Sequence, residues 1–219
     1  MSMLNYTLVA DGPSDRCLMH VINWALARTS PSNSTLLINS HFADYREAPA
    51  EPRGLSERIE RAVQDYPCDI LFVHRDDEGE SPGHRRKEIA DATQSLELPA
   101  LICIIPVRMT EAWLLFDEAA IRLAAGNPHG TAALKLPSLR RLEREPDPKE
   151  ILHNALEVAS ETTGRRLKQF QRDLPKLVQR VAELIEDFSP LESLPAFSSF
   201  YGDLTTELAA HVLSRSADK

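Results

Sequence analysis

The chain has 219 residues, a formal net charge of −8, and 42% hydrophobic against 26% charged residues. That is enough for one domain with a substantial appendage, with a core that needs no disulfide or zinc staple, and the composition excludes a disordered or fibrous protein. The acidic total argues against broad, nonspecific coating of nucleic acid.

No apolar run is long enough to span a membrane, and "MSMLNYTLVADG" lacks the basic-then-apolar order of a signal peptide. Cys17, Cys68 and Cys103 are odd in number, widely spaced and without a CxxC pair. They read as reduced thiols of a cytoplasmic protein.

In chain order, "YTLVA" (6–10) predicts a strand ending at Asp11, and "GPSD" a turn. "RCLMHVINWALAR" then sets Leu18, Val21, Ile22, Ala25 and Leu26 at helical spacing, with Ser14 as the expected N-cap. "STLLINS" (34–40) predicts a second strand, residues 41–53 a loop, and "LSERIERAVQDY" an amphipathic helix. "CDILFVH" (68–74) predicts the third strand, a helix follows over about 84–97, and "ALICIIPV" (100–107) predicts a fourth strand that is apolar on both faces. Strands alternating with helices imply a parallel sheet covered by helices.

From Thr110 the pattern is helical, beginning with "EAWLLFDEAAIRLAAG", which stops at Gly126. "LPSLRRLE", "DPKEILHNALEVAS" and a long amphipathic segment over 164–188, kinked at Pro175, follow. The organisation expected is an α/β core over 4–125 and a helical C-terminal region over 126–215. Arg165, Lys168, Arg172, Lys176 and Arg180 make a basic stripe in that region: either a solvated face or a track for nucleic-acid phosphates.

Open parallel sheets bind ligands outside the carboxyl ends of their strands, and three of the four expected strands end in acids. The first delivers Asp11 and Asp15, the third Asp76, Asp77 and Glu78, and the fourth leads to Glu111. Converging carboxylates repel unless they are protonated or hold cations. Hard oxygen donors of this kind suit Mg²⁺ or Mn²⁺, which can activate water and steady the leaving oxygen in phosphodiester cleavage. Arg75 and Arg108 lie beside the acidic strand ends, where each either clamps a phosphate or pairs with a neighbouring carboxylate.

The residues "ADGPSD" (10–15) resemble the "VEGxSD" motif that opens TOPRIM domains, and "HRDDEG" (74–79) resembles their DxD strand end. "IPVRMTEAWLLFDEAAIR" and "FSPLESLPAFSSF" are similar to stretches of a family of uncharacterised bacterial TOPRIM-like proteins related to OLD-type nucleases. The resemblance implies a Rossmann-like TOPRIM sheet, with Asp11, Asp15, Asp76 and Glu78, and Glu111 with them, as ligands of Mg²⁺ or Mn²⁺. It also implies nuclease chemistry on nucleic acid, possible anti-phage defence, and partnership with an ABC or AAA ATPase. Asp11 stands where the motif has Glu, and His74 where DxD has its first acid. His74 is therefore a ligand, a general acid/base, or a buried residue bonded to the sheet. The same departures suit a catalytically degenerate interaction subunit of an ATPase complex.

Overall fold

The computed structural model describes residues 2–29, 36–48, 50–77 and 82–217. Four strands, β1 (Ser2–Val9), β2 (Leu36–Phe42), β3 (Ile70–His74) and β4 (Ala100–Ile104), form one parallel sheet in the order β2-β1-β3-β4. The register sets Tyr6 beside Ile70 and Val9 beside Val73, so β1 and β3 stop level with each other. Every residue of β3 is buried, as its unbroken apolar run requires of a central parallel strand.

Side-chain alternation along the strands divides the core into two layers. Leu4, Tyr6 and Leu8 of β1, Ile70 and Phe72 of β3, and Ile102 and Ile104 of β4 face one layer. Val9, Leu71 and Val73 face the other, where they meet Ile59 and Ala62 of α2 (Leu55–Asp65) and Ile89 of α3 (Pro82–Thr93).

The first layer carries α1 (Leu18–Thr29) together with the C-terminal helices: α4 (Glu118–Ala124), α5 (Pro148–Ser160), α6 (Gly164–Leu184) and α7 (Pro195–Ala217). The helical C-terminal region therefore shares one continuous core with the sheet. At its centre Trp113 is fully buried and meets the Phe197 ring edge-on at 5.0 Å.

Two elements differ from the pattern read in the sequence. The apolar run after Thr110 is split: Thr110–Leu114 is a 3₁₀ turn, and α4 starts only after Asp117, whose side chain accepts the Ala120 N–H at 2.9 Å. A capping aspartate restarts a helix because it satisfies backbone donors that an unbroken helix would bond internally. Likewise Ser14 does not cap α1. Pro13–Cys17 form a 3₁₀ turn, with the Asp15 carboxylate accepting the Gly12 N–H at 2.8 Å, and α1 begins at Leu18. Pro175 lies within α6, which runs unbroken to Leu184. Its side is exposed, so the carbonyl left without its usual donor can bond to water.

Candidate functional site

In the sheet order, the chain leaves β1 toward β2 on one side and returns to β3 on the other. This makes the carboxyl ends of β1 and β3 the switch point of the sheet, where open α/β folds place ligands. Asp11 follows β1, His74 ends β3 with Arg75, Asp76 and Asp77 behind it, and Glu111 lies in the 3₁₀ turn after β4. The 3₁₀ turn after β1 folds Asp15 back into the same place.

The innermost group is His74, fully buried. A carbonyl only accepts, so the Nδ1–H of His74 donates to the Ile104 carbonyl at 3.0 Å. Nε2 then faces Asp76 at 3.4 Å, Asp15 at 3.8 Å and the Thr110 hydroxyl at 3.3 Å. Thr110 also donates its backbone N–H to Asp76 Oδ1 at 3.1 Å, which fixes that carboxylate's orientation.

Asp15 and Glu111 are both buried, and Lys149 approaches Glu111 at 3.6 Å from the first turn of α5. Burial, together with Asp15, Glu111 and Asp11, pushes the Asp76 carboxyl up to about 7 against the pull of His74. The neighbouring Cys17 thiol is pushed well up by burial and then by Glu111, Asp15 and Asp76. In both groups burial is the larger cause, and the same carboxylates, Asp15 and Glu111, add to it.

Asp11 is different. Its side chain is 38% exposed and ion-paired with Arg75, and Arg58 stands 4.0 Å away. Arg75 also bonds Glu88 at 2.9 Å, while Arg85 joins Glu88 to the Asp76 carbonyl, each at 2.9 Å. Arg75 is therefore committed to carboxylates. Arg108 has the left-handed φ of 67° and, among the described residues, no ion pair or side-chain hydrogen bond. Of the two arginines, it is the one available to an incoming anion. Beside Asp11, a cavity of about 40 Å³ lined in part by Gly12, Arg46 and Arg58 has room for a few waters or a small ion.

The structure thus brings Asp15, His74, Asp76 and Glu111 together, with Asp11 and Arg75 at their rim. Glu78 lies outside the described residues. The basic stripe is exposed on α6, but Lys176 pairs with Asp173 at 4.0 Å and Arg180 with Glu183 at 2.7 Å. α6 reaches the centre through Gln179, whose side-chain amide donates to the Ser14 carbonyl at 2.6 Å. Sequence reading missed Lys149, the bond from Thr110 to Asp76, and the clasp by Gln179. Lys149 and Gln179 carry no local signal, since each meets the centre from the distant helical region. Thr110 stood in the sequence only as the start of the helical pattern.

Among the described residues, no group of three or more His, Cys, Asp or Glu is arranged as a ready-made ion cage. The donor chemistry nevertheless fits a hard divalent cation, which takes one or two carboxylates and completes its shell with water. Asp76 with Asp15 or Glu111 offers such donors, in a place where burial first, and then the neighbouring carboxylates, raise the Asp76 carboxyl to about 7. Comparison with known protein families, with curated proteins and with solved structures finds no match. Among the described residues no helix is long and apolar enough to cross a membrane.

Proposed function

We propose that this chain is a Mg²⁺- or Mn²⁺-dependent TOPRIM-like phosphodiesterase that acts on nucleic acid as a nuclease. One observation carries the reading: the Asp76 carboxylate, 25% exposed at the switch point, shares that place with the buried Asp15 and Glu111. A cluster of like charges in that position calls for a proton or a cation. Asp76, with Asp15 or Glu111, would hold the cation, which when bound supplies positive charge and Lewis acidity toward a phosphoryl oxygen.

The chain's own groups do the rest. Thr110 N–H keeps Asp76 in one orientation, and the Nδ1 bond from His74 to Ile104 holds Nε2 toward the carboxylates as a site that can take or release a proton. The unpaired Arg108 orients the phosphodiester, since a guanidinium matches phosphate oxygens in a bidentate fashion. Lys149 adds positive charge on the Glu111 side.

The test is calorimetric titration with Mn²⁺ and Mg²⁺ beside a cleavage assay on labelled oligonucleotides. Wild-type protein is expected to bind and cleave, and Asp76→Asn to lose both. A folded wild-type protein that binds neither ion overturns the reading. The ion pair between Asp11 and Arg75 favours a second reading, a catalytically silent interaction subunit of an ABC or AAA ATPase complex, because that carboxylate already has its cation. Cation-independent binding to such an ATPase, without cleavage, supports it.

A further inference from the structure

The basic stripe of α6 is two different surfaces. From Leu174 onward the helix buries Leu174, Val178, Val181 and Ala182 against the core, and its cations Lys176 and Arg180 are paired with acids of the same helix. Before Leu174 no residue of α6 is buried. Arg165, Arg166, Lys168 and Arg172 are all exposed there, and among the described residues none has an ion pair or a hydrogen-bonded side chain. The nearby acids are engaged: Glu157 accepts from Gln171 at 3.1 Å, and Asp173 faces Lys176. Four side chains on two turns thus leave positive charge without a counter-charge, on a chain whose net charge is −8.

We infer that the first half of α6, residues 164–173, is a docking strip for the phosphate backbone of nucleic acid. This deepens the proposed function by locating its partner, and rests on that reading for its purpose, although the binding itself needs no divalent cation. Three of the four cations are arginines, whose planar guanidinium suits phosphate better than a lysine point charge does. Arg165, Lys168 and Arg172 follow at spacings of three and four and so share one side over about 10 Å of helix, and with Arg166 beside them their long side chains fan out far enough for each to meet its own phosphate. An anionic membrane is the poorer fit, because a helix that lies in a bilayer surface carries large apolar side chains for insertion. Among the described residues the exposed large hydrophobics are Met3, Leu37, Leu123 and Val158, none of them on α6.

Release of counterions by about four cations predicts a slope of log affinity against log salt of about −3.6 on duplex DNA and about −2.8 on single strands. Between 50 and 200 mM salt that amounts to a loss of about 150-fold or about 50-fold respectively. The experiment is fluorescence anisotropy of the full chain with a 25-nucleotide labelled DNA, single-stranded and duplex, in the presence of a chelator.

Reversing Arg165, Arg166, Lys168 and Arg172 to Glu should weaken binding at least 10-fold and flatten the salt dependence, while circular dichroism stays unchanged. The Lys176→Glu, Arg180→Glu double variant should bind like wild type. Equal losses in both variants, no effect of the reversal, or wild-type binding to phosphatidylserine vesicles or an acidic peptide but not to DNA would each overturn the strip. Strip-dependent binding without cleavage in Mg²⁺ supports the strip and counts against the nuclease reading alone. Cleavage that survives the reversal with unchanged affinity does the opposite.

Discussion

Replacing Asp76 by Asn tests the charge centre without disturbing its shape. The amide keeps an oxygen for the Thr110 N–H, which Asp76 accepts at 3.1 Å, but it cannot ionise. In the folded protein the Asp76 carboxyl sits at about 7, and its ordinary value is 3.8. Between those values the folded state holds a proton that the unfolded state has released, so this group makes the native state progressively less stable as pH rises from about 4 to 7. Over the full window the loss approaches about 4 kcal/mol, at 1.36 kcal/mol per unit. Because the side chain is 25% exposed, some of the charge is relieved by solvent.

In chelator at pH 8, Asp76→Asn should therefore be more stable than wild type by about 2–4 kcal/mol, a rise in Tm of about 5–15 °C. At pH 4 the two proteins should differ by less than about 1 kcal/mol, because the wild-type carboxyl is then protonated in the folded state and about two-fifths protonated in the unfolded one. Urea denaturation at both pH values measures this directly. Mg²⁺ at a hundred times its dissociation constant should return about 2.7 kcal/mol to wild type at pH 8 and much less to the variant. A variant less stable than wild type by the same amount at both pH values would show that Asp76 contributes a structural bond and nothing electrostatic, and the reasoning would fail.

Two further outcomes are expected. Gln179→Ala removes the bond to the Ser14 carbonyl that clasps the turn carrying Asp15, and should cost about 1 kcal/mol in chemical denaturation while lowering any Mn²⁺ affinity measured by calorimetry. Trp113→Ala opens a void where both core-facing phenylalanines of α7 converge, and should cost about 3–5 kcal/mol, seen as a large fall in Tm.

Local chemistry alone determined the element order and the parallel sheet. The apolar run of β3 demanded burial on both faces, and acids at three strand ends marked one edge of the sheet before any contact was known. Position in a motif could not say which of those acids share charge and which are already paired. Asp11 and Asp76 look equivalent in the sequence, yet one takes Arg75 at the rim and the other lies partly buried against His74, because burial and ion pairing arise only when β1, β3 and the turn after β4 are set side by side. The same holds for the basic stripe: five cations at regular spacing read as one surface, and the helix divides them. Asp173 and Glu183 lie within reach of Lys176 and Arg180, while the first two turns bury no residue, touch the core through Phe170, and carry four cations that find no acid partner among the described residues. Periodicity along one chain specifies a face; the charges that meet that face come from helices and turns distant in sequence, and only tertiary packing brings them there.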